Sequence, residues 1–180
     1  YGPYLWIIRK TPAYNGPDGA LFQLSYDLRA LGMGTTTTQP AHMFGPVPNG
    51  IGAAPFGTFL VSYGGLSLGG IESVRVVSVN DPLSTLGGPF FVNQTSSCGN
   101  IDNTAAAIAG APQLGGPALI DTIDRRAYNA VWRNNSLYLG ADCIPAVGSD
   151  AGQVTAHWWR MSTAFSGLGS PALALGDQGD

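Results

Sequence analysis

Few residues in this chain are equipped for chemistry. It carries two histidines, His42 and His157, one glutamate, Glu72, and two cysteines, Cys98 and Cys143. A histidine can act as a general base near neutral pH. Hydrolytic use would normally show a nucleophile elbow or a zinc pair as well, and neither Gly-x-Ser-x-Gly nor His-Glu-x-x-His occurs. The simpler expectation is that His42, in "PAHMFGP", lies in a surface loop and that His157 packs beside Trp158 and Trp159 in a strand. A glycosidase needs two carboxylates at a set separation. Glu72 is the sole glutamate, and Asp121 and Asp124, three apart on a strand, would face opposite sides. Four of the seven arginines, Arg125, Arg126, Arg133 and Arg160, fall late in the chain, where a cluster could hold a carboxylate. Arg125 and Arg126 directly after Asp124 read more simply as local ion pairs.

Three further groups suggest binding. "GNIDNTA" brings Asn100, Asp102 and Asn103 together, and oxygen ligands of this kind suit Ca²⁺, although the spacing is not that of an EF-hand. An Asx-stabilised turn is the competing account. Calcium is the one cofactor the sequence raises. The aromatics Tyr128, Trp132, Tyr138, Trp158 and Trp159 could form a sugar-stacking platform, with most of them expected in packing. Trp158, Trp159, Tyr138 and Arg133 are the ligand-binding candidates, the outward member of the Trp158/Trp159 pair being the best. Cys98 and Cys143 suit either two buried thiols or one disulfide. A single lysine, with loops of Thr, Ser, Asn and Gly, favours a secreted, extracellular chain and a Cys98–Cys143 bridge. That bridge would close a loop of about 45 residues, worth ~4 kcal/mol.

The elements that must position these groups look like strands. The 180 residues suffice for one domain with a core. Charged residues make up 11% and hydrophobic ones 44%, so the chain is neither disordered nor electrostatically driven. The net charge of −3 and the lack of a basic run argue against nucleic acid, and no apolar run is long enough for a membrane-spanning helix. Gly and Pro punctuation among aromatic and β-branched residues favours an all-β fold.

"AYNAVWRNNSLYLGADC" reads as a hairpin. Asn134-Asn135 suits a two-residue turn. Leu137, Leu139 and Ala141 then share one face, Tyr138 and Gly140 the other, and Trp132 stands across from Leu137. Strand, loop, strand, then Leu-Gly recurs over residues 1–33, 48–88 and 118–170, ending at Leu31, Leu86 and Leu168. A loop-rich insertion covers 89–117, with a strand at "PFFVNQT", a helical turn at Thr104–Ala109 and a strand over Pro117–Ile123. Leu21, Leu24, Leu28 and Leu31 also fit a helix, but agreement among the three units favours a strand followed by a turn. Four-stranded repeats of this size suggest propeller blades.

Residues 112–163 resemble a blade of secreted bacterial β-propeller proteins, many of unknown function. These pair a "D-x-R…V-x-R-N-G-S-L-W" hairpin with an "A-R-W-Y-x-I" strand. Asp124, Arg126, Val131, Arg133, Asn134, Ser136 and Leu137 match the first, and Ala156, Trp158 and Trp159 the second. Asn135 stands where Gly is usual, and Tyr138 where Trp is usual. "GSDAGQVTAHW" is similar to the Asp-box of sialidase-like propellers, but Ser149 is adjacent to Asp150 and no Trp follows Thr155. The resemblance implies antiparallel propeller blades, about three of them, belonging to a larger propeller. A small β-sandwich or barrel is the alternative.

The functional expectation is a secreted or cell-surface structural or recognition module. It would bind glycans, or assemble with other chains or the remaining propeller segments. The alternative is a glycan-acting hydrolase whose site is shared with other segments.

Overall fold

A computed structural model describes residues 3–16, 23–33, 37–47, 56–63, 67–68, 70–84, 87–165 and 171–180. In chain order its elements are β1 (Tyr4–Ile8), α1 (Lys10–Asn15), β2 (Gln23–Asp27), β3 (Gln39–Phe44), β4 (Phe56–Ser62), β5 (Ser67–Leu68), β6 (Ile71–Asn80), β7 (Phe90–Gly99), β8 (Ala111–Pro112), β9 (Leu119–Ile120), β10 (Asn129–Arg133), β11 (Ser136–Cys143), β12 (Thr155–Phe165) and β13 (Pro171–Gly179). The all-β class holds.

The β10–β11 hairpin forms as its residues dictate. Asn134 and Asn135 both take positive φ, +49° and +58°, a conformation that asparagine tolerates and that matches the twist of a two-residue hairpin turn. Arg133 pairs with Ser136 and Trp132 with Leu137. Trp132, Leu137, Leu139 and Ala141 are all buried, while Tyr138 faces out. The Trp132 indole N–H also donates to Thr163 Oγ1 at 2.8 Å, inside the core.

The strands join into one mixed sheet, in the order β13-β12-β11-β10-β3-β4-β6, with β7 on the far side of β6. The link between its halves is parallel: Ala130 of β10 pairs with Ala41 of β3, and Trp132 with Met43. The sheet curls until its outermost strands, β13 and β7, come together, so eight strands make a nearly closed barrel. Gln178 Nε2 donates to the Cys98 carbonyl at 2.9 Å across this seam. Strands of the second and third repeat units thus belong to one continuous sheet, whereas β1 and β2 pair only with each other.

Two cores result. The barrel interior holds Phe59, Val61, Tyr63, Val74, Val76, Trp132, Leu137, Trp159 and Met161. A second core lies outside the wall, where Leu5 and Ile7 of β1 pack with Leu28 on Leu60, Val77 and Val79. β4 and β6 are therefore covered on both faces, which is why "TFLVS" and "VRVVSV" read as near-continuous apolar runs instead of alternating.

Several expectations change. The strand at "PFFVNQT" extends through Gly99 and pairs along the length of β6. Thr104–Ala109 holds only a turn, closed by Ala106 N–H to the Asn103 carbonyl, and the Pro117–Ile123 strand shrinks to β9. Residues 23–27 are strand and 28–32 turn, as the repeat comparison favours over a helix; Leu21, Leu86 and Leu168 lie outside the described residues. The expected disulfide is absent: Cys98 and Cys143 are both free and buried. Cys143 Sγ lies 3.4 Å from the Tyr63 hydroxyl, and Cys98 Sγ turns back to the Ser96 carbonyl of its own strand at 3.7 Å. Each sulfur is engaged by its own neighbour, on a different wall of the barrel. Burial pushes Cys98 up to about 11 and Cys143 up to about 12.

Candidate ligand-binding face

Strand alternation sorts the ligand-binding candidates. On β12, His157, Trp159 and Met161 point into the barrel, while Ala156, Trp158 and Arg160 point out. Trp159 is 0% exposed and rings against Tyr63, with centroids 4.7 Å apart. It is a core residue, so its candidacy as a ligand contact is corrected. Trp158 and Tyr138 are each 42% exposed on the outer face, and Arg133 is exposed at the hairpin turn, away from Trp158 along the strands.

Register brings these two aromatics together. Tyr138 pairs with Arg160 and Gly140 with Trp158, so Tyr138 and Trp158 are diagonal neighbours, within reach for aromatic side chains. Glycine stands on both sides of Trp158. Gly140 faces it on β11, and Gly179 faces it on β13. A Cβ on Gly179 would lie 3.3 Å from the indole Nε1, so the ring rests against bare backbone there. With no side chain at Gly140, nothing on β11 rises opposite the indole.

A hollow of about 190 Å³ opens over Gly140, lined by Tyr128, Asn129, Ala141, Asp142, Ala156 and His157. The Tyr128 hydroxyl donates to Asp142 Oδ2 at 2.5 Å and also lies 2.7 Å from the Thr122 carbonyl. Burial, reinforced by the Asp142 carboxylate, pushes the Tyr128 phenol up, so it stays protonated and donating. The hollow itself is lined by a carboxylate, a phenol and an amide, and the exposed Trp158 and Tyr138 lie outside its lining on the same outer face. That combination suits a ring with an apolar face and a hydroxyl edge.

Compared with known proteins, the chain matches no family model, no curated protein and no solved structure. Function must therefore be argued from the site itself.

The remaining candidates are dispersed. Asp102 turns inward and does not face its proposed calcium partners. It accepts from Arg125 Nε at 2.7 Å, Tyr63 Oη at 3.1 Å and the Ile144 N–H at 2.9 Å. Its oxygens are engaged by these protein donors, while Asn100 and Asn103, the other members of the proposed calcium set, are exposed. Among the described residues no cluster of three or more His, Cys, Asp or Glu could hold a metal. Arg126 pairs with Asp124 at 2.6 Å as a local ion pair, whereas Arg125 reaches into the fold to Asp102. Glu72 is buried and accepts from the Ile101 N–H at 2.9 Å. His42 is exposed on β3, not in a loop. Asn129 and Asp142 escape sequence reading because they gain meaning only when β10 and β11 place them around Gly140.

Proposed function

We propose that this chain is a recognition module of the secreted or cell-surface setting, binding glycans through the outer face of β10, β11 and β12. The observation that carries this reading is the exposed Trp158 flanked by Gly140 and Gly179, with Tyr138 diagonal to it and the Tyr128–Asp142 pair at the adjoining hollow. A sugar ring stacking on Trp158 would present its hydroxyls to Asp142 and Asn129. The likeness of residues 112–163 to blades of secreted propeller proteins supports the extracellular setting. A larger propeller is the weaker part of that likeness, since a nearly closed barrel already satisfies most strand edges without further blades.

Hydrolysis of the same ligands is the second reading, favoured only by the Asp142 carboxylate at the hollow. Glycoside hydrolysis needs a partner carboxylate, and the hollow's lining contains no other. The test is a glycan array read beside a reducing-sugar release assay, for the native chain, Trp158→Ala and Tyr138→Ala. Binding without turnover, lost at least tenfold in each variant, is the expected result. No binding, or binding indifferent to both substitutions, overturns the proposal.

A further inference from the structure

The two-stranded ribbon outside the barrel leaves one edge open. Among the described residues β1 pairs with β2 alone. The Leu28 N–H donates to the Pro3 carbonyl at 3.1 Å, which makes Pro3 and Leu28 a hydrogen-bonded pair of the antiparallel ladder. Such pairs alternate along a ladder, so Leu5 and Ile7 direct their N–H and C=O groups at β2. Tyr4, Trp6 and Ile8 direct theirs the other way, to the outer edge, and their side chains are exposed as well. A hollow of about 220 Å³ follows this edge, with residues 3–6 on one side and Thr38, Pro40 and Leu60 of the barrel wall on the other.

Exposed sheet edges are usually blunted by lysine, an internal proline or a bulge. The strand "YLWII" has none of these, and no charged side chain lines the hollow. Open backbone groups beside an apolar groove suit an extended strand, which satisfies the first and buries the second. The β1 strand of a second copy fits poorly. Its Leu5 and Ile7 already pack on its own Leu60, Val77 and Val79, whereas a strand added here must rest on Thr38, Pro40 and Leu60 of this chain. Arg9 and Lys10 follow β1 directly, so positive charge stands at one end of the edge and favours an acidic residue in a strand that passes it.

From this we infer that the outer edge of β1 takes up an extended peptide segment of another protein by strand addition. The segment runs antiparallel to β1, the commoner pairing, with acidic residues at its N-terminal end beside Arg9 and Lys10. Its alternate apolar side chains lie on Thr38, Pro40 and Leu60. The intervening residues stand opposite Tyr4, Trp6 and Ile8, on the same face, and their N–H groups bond to β1. The edge shares no residue with the hollow over Gly140 or with Trp158 and Tyr138, so it does not rest on the glycan reading.

The full chain is titrated with the blocked peptide Asp-Asp-Val-Thr-Val-Thr-Val, with its Lys-Lys counterpart, and with acidic peptides N-methylated on the threonines or on the valines. Amide hydrogen exchange is followed by NMR. The expected result is saturable binding of the acidic peptide, with exchange slowed at least tenfold at Tyr4, Trp6 and Ile8 and little changed at Leu5 and Ile7. The Lys-Lys peptide should bind at least fivefold more weakly. Methylation of the threonines, whose N–H groups face β1, should abolish binding, and methylation of the valines should leave it. Trp6→Pro removes one edge donor where an edge strand tolerates proline, and should weaken binding at least tenfold; the methylated peptides probe the same bonds on the unaltered chain. Trp158→Ala should leave binding intact, which separates failure of this edge from failure of the outer face. No saturable binding up to the solubility limit of the acidic peptide, or equal loss with both methylated peptides, would overturn the assignment. So would protection of β1 that rises with protein concentration alone, which would give the edge to a second copy.

Discussion

Replacing Asp102 by asparagine tests the buried polar network that ties three segments of the fold together. The carboxylate is 0% exposed and its partner Arg125 only 15%. It links three distant segments: Tyr63 at the end of β4, Arg125 before β10, and the Ile144 backbone after β11. Asparagine keeps one acceptor oxygen, which can serve the Ile144 N–H at Oδ1. Its NH₂ replaces the Oδ2 that accepts from Tyr63 and Arg125, and the charge that compensates the Arg125 guanidinium is lost. Breaking a buried ion pair on one side costs about 3–5 kcal/mol. Arg125 also donates to the carbonyls of Asn103 and Ala106, at 2.9 and 2.8 Å, which places Asp102→Asn near the lower end, about 3 kcal/mol. For a chain of this length that corresponds to a fall in Tm of roughly 6–12 °C. Thermal and urea unfolding, followed by circular dichroism, measure it.

The control is Asp124→Asn, which breaks an ion pair whose side chains are 45% and 41% exposed. Solvent-screened pairs of that kind contribute under about 1 kcal/mol. If Asp102→Asn costs no more than Asp124→Asn, the buried pair does not hold the fold together and the reasoning fails. Calcium adds a second arm. With the Asp102 oxygens committed, millimolar Ca²⁺ should leave Tm unchanged, and a calcium-dependent rise would restore the ligand role for Asn100, Asp102 and Asn103.

Other consequences are open to direct measurement. Gly140→Val should block glycan binding while leaving Tm within a few degrees, because a Cβ at this position meets only the His157 carbonyl at 3.5 Å, an ordinary contact; binding that persists would move the ligand elsewhere. Both cysteines should resist alkylation in the native state and react on denaturation, and intact mass without reductant should show two free thiols. Their raised folded values set a pH trend. The unfolded thiols lose protons first, so stability contributed by keeping them neutral is full below about pH 8.5 and declines as pH rises toward 11 and 12; urea midpoints that stay flat from pH 8 to 11 would contradict this burial. Asn135→Val should destabilise by about 1–2 kcal/mol, because a β-branched residue is strained at φ +58°, whereas Asn135→Gly should be neutral or stabilising by comparison.

What the sequence reveals here is local. The β10–β11 hairpin is legible because the Asn-Asn turn, the alternation of Leu137, Leu139 and Ala141, and the Trp132–Leu137 pair all lie within one short stretch and agree with one another. Trp158 and Trp159 are harder. Adjacent tryptophans cannot both face the core, yet alternation alone does not say which one does. The answer comes from pairing with β11, where Leu139 faces in and lies opposite Trp159. Asp102 is harder again. "GNIDNTA" has the composition of a turn or a calcium loop, and its actual role depends on Tyr63, Arg125 and Ile144, none of them local.

The same limit explains the attraction of the propeller blade. A blade and a barrel wall can share an identical hairpin, because turn chemistry and inward–outward alternation do not record what lies beyond its outer edge. In this chain that edge is β10, and its neighbour is β3, paired in parallel and distant in sequence. A parallel partner leaves no turn signal to read. Nor does "QPAHMF" look like a strand, since Pro40 sits within it. Pro40 pairs with Leu60 of β4 while Ala41 onward pairs with β10. That short, proline-marked strand, not the conspicuous hairpin, joins two halves that would otherwise remain separate sheets into one curled wall. The outer face bearing Trp158 and Tyr138 therefore owes its place in one continuous wall to an element with almost no sequence signature.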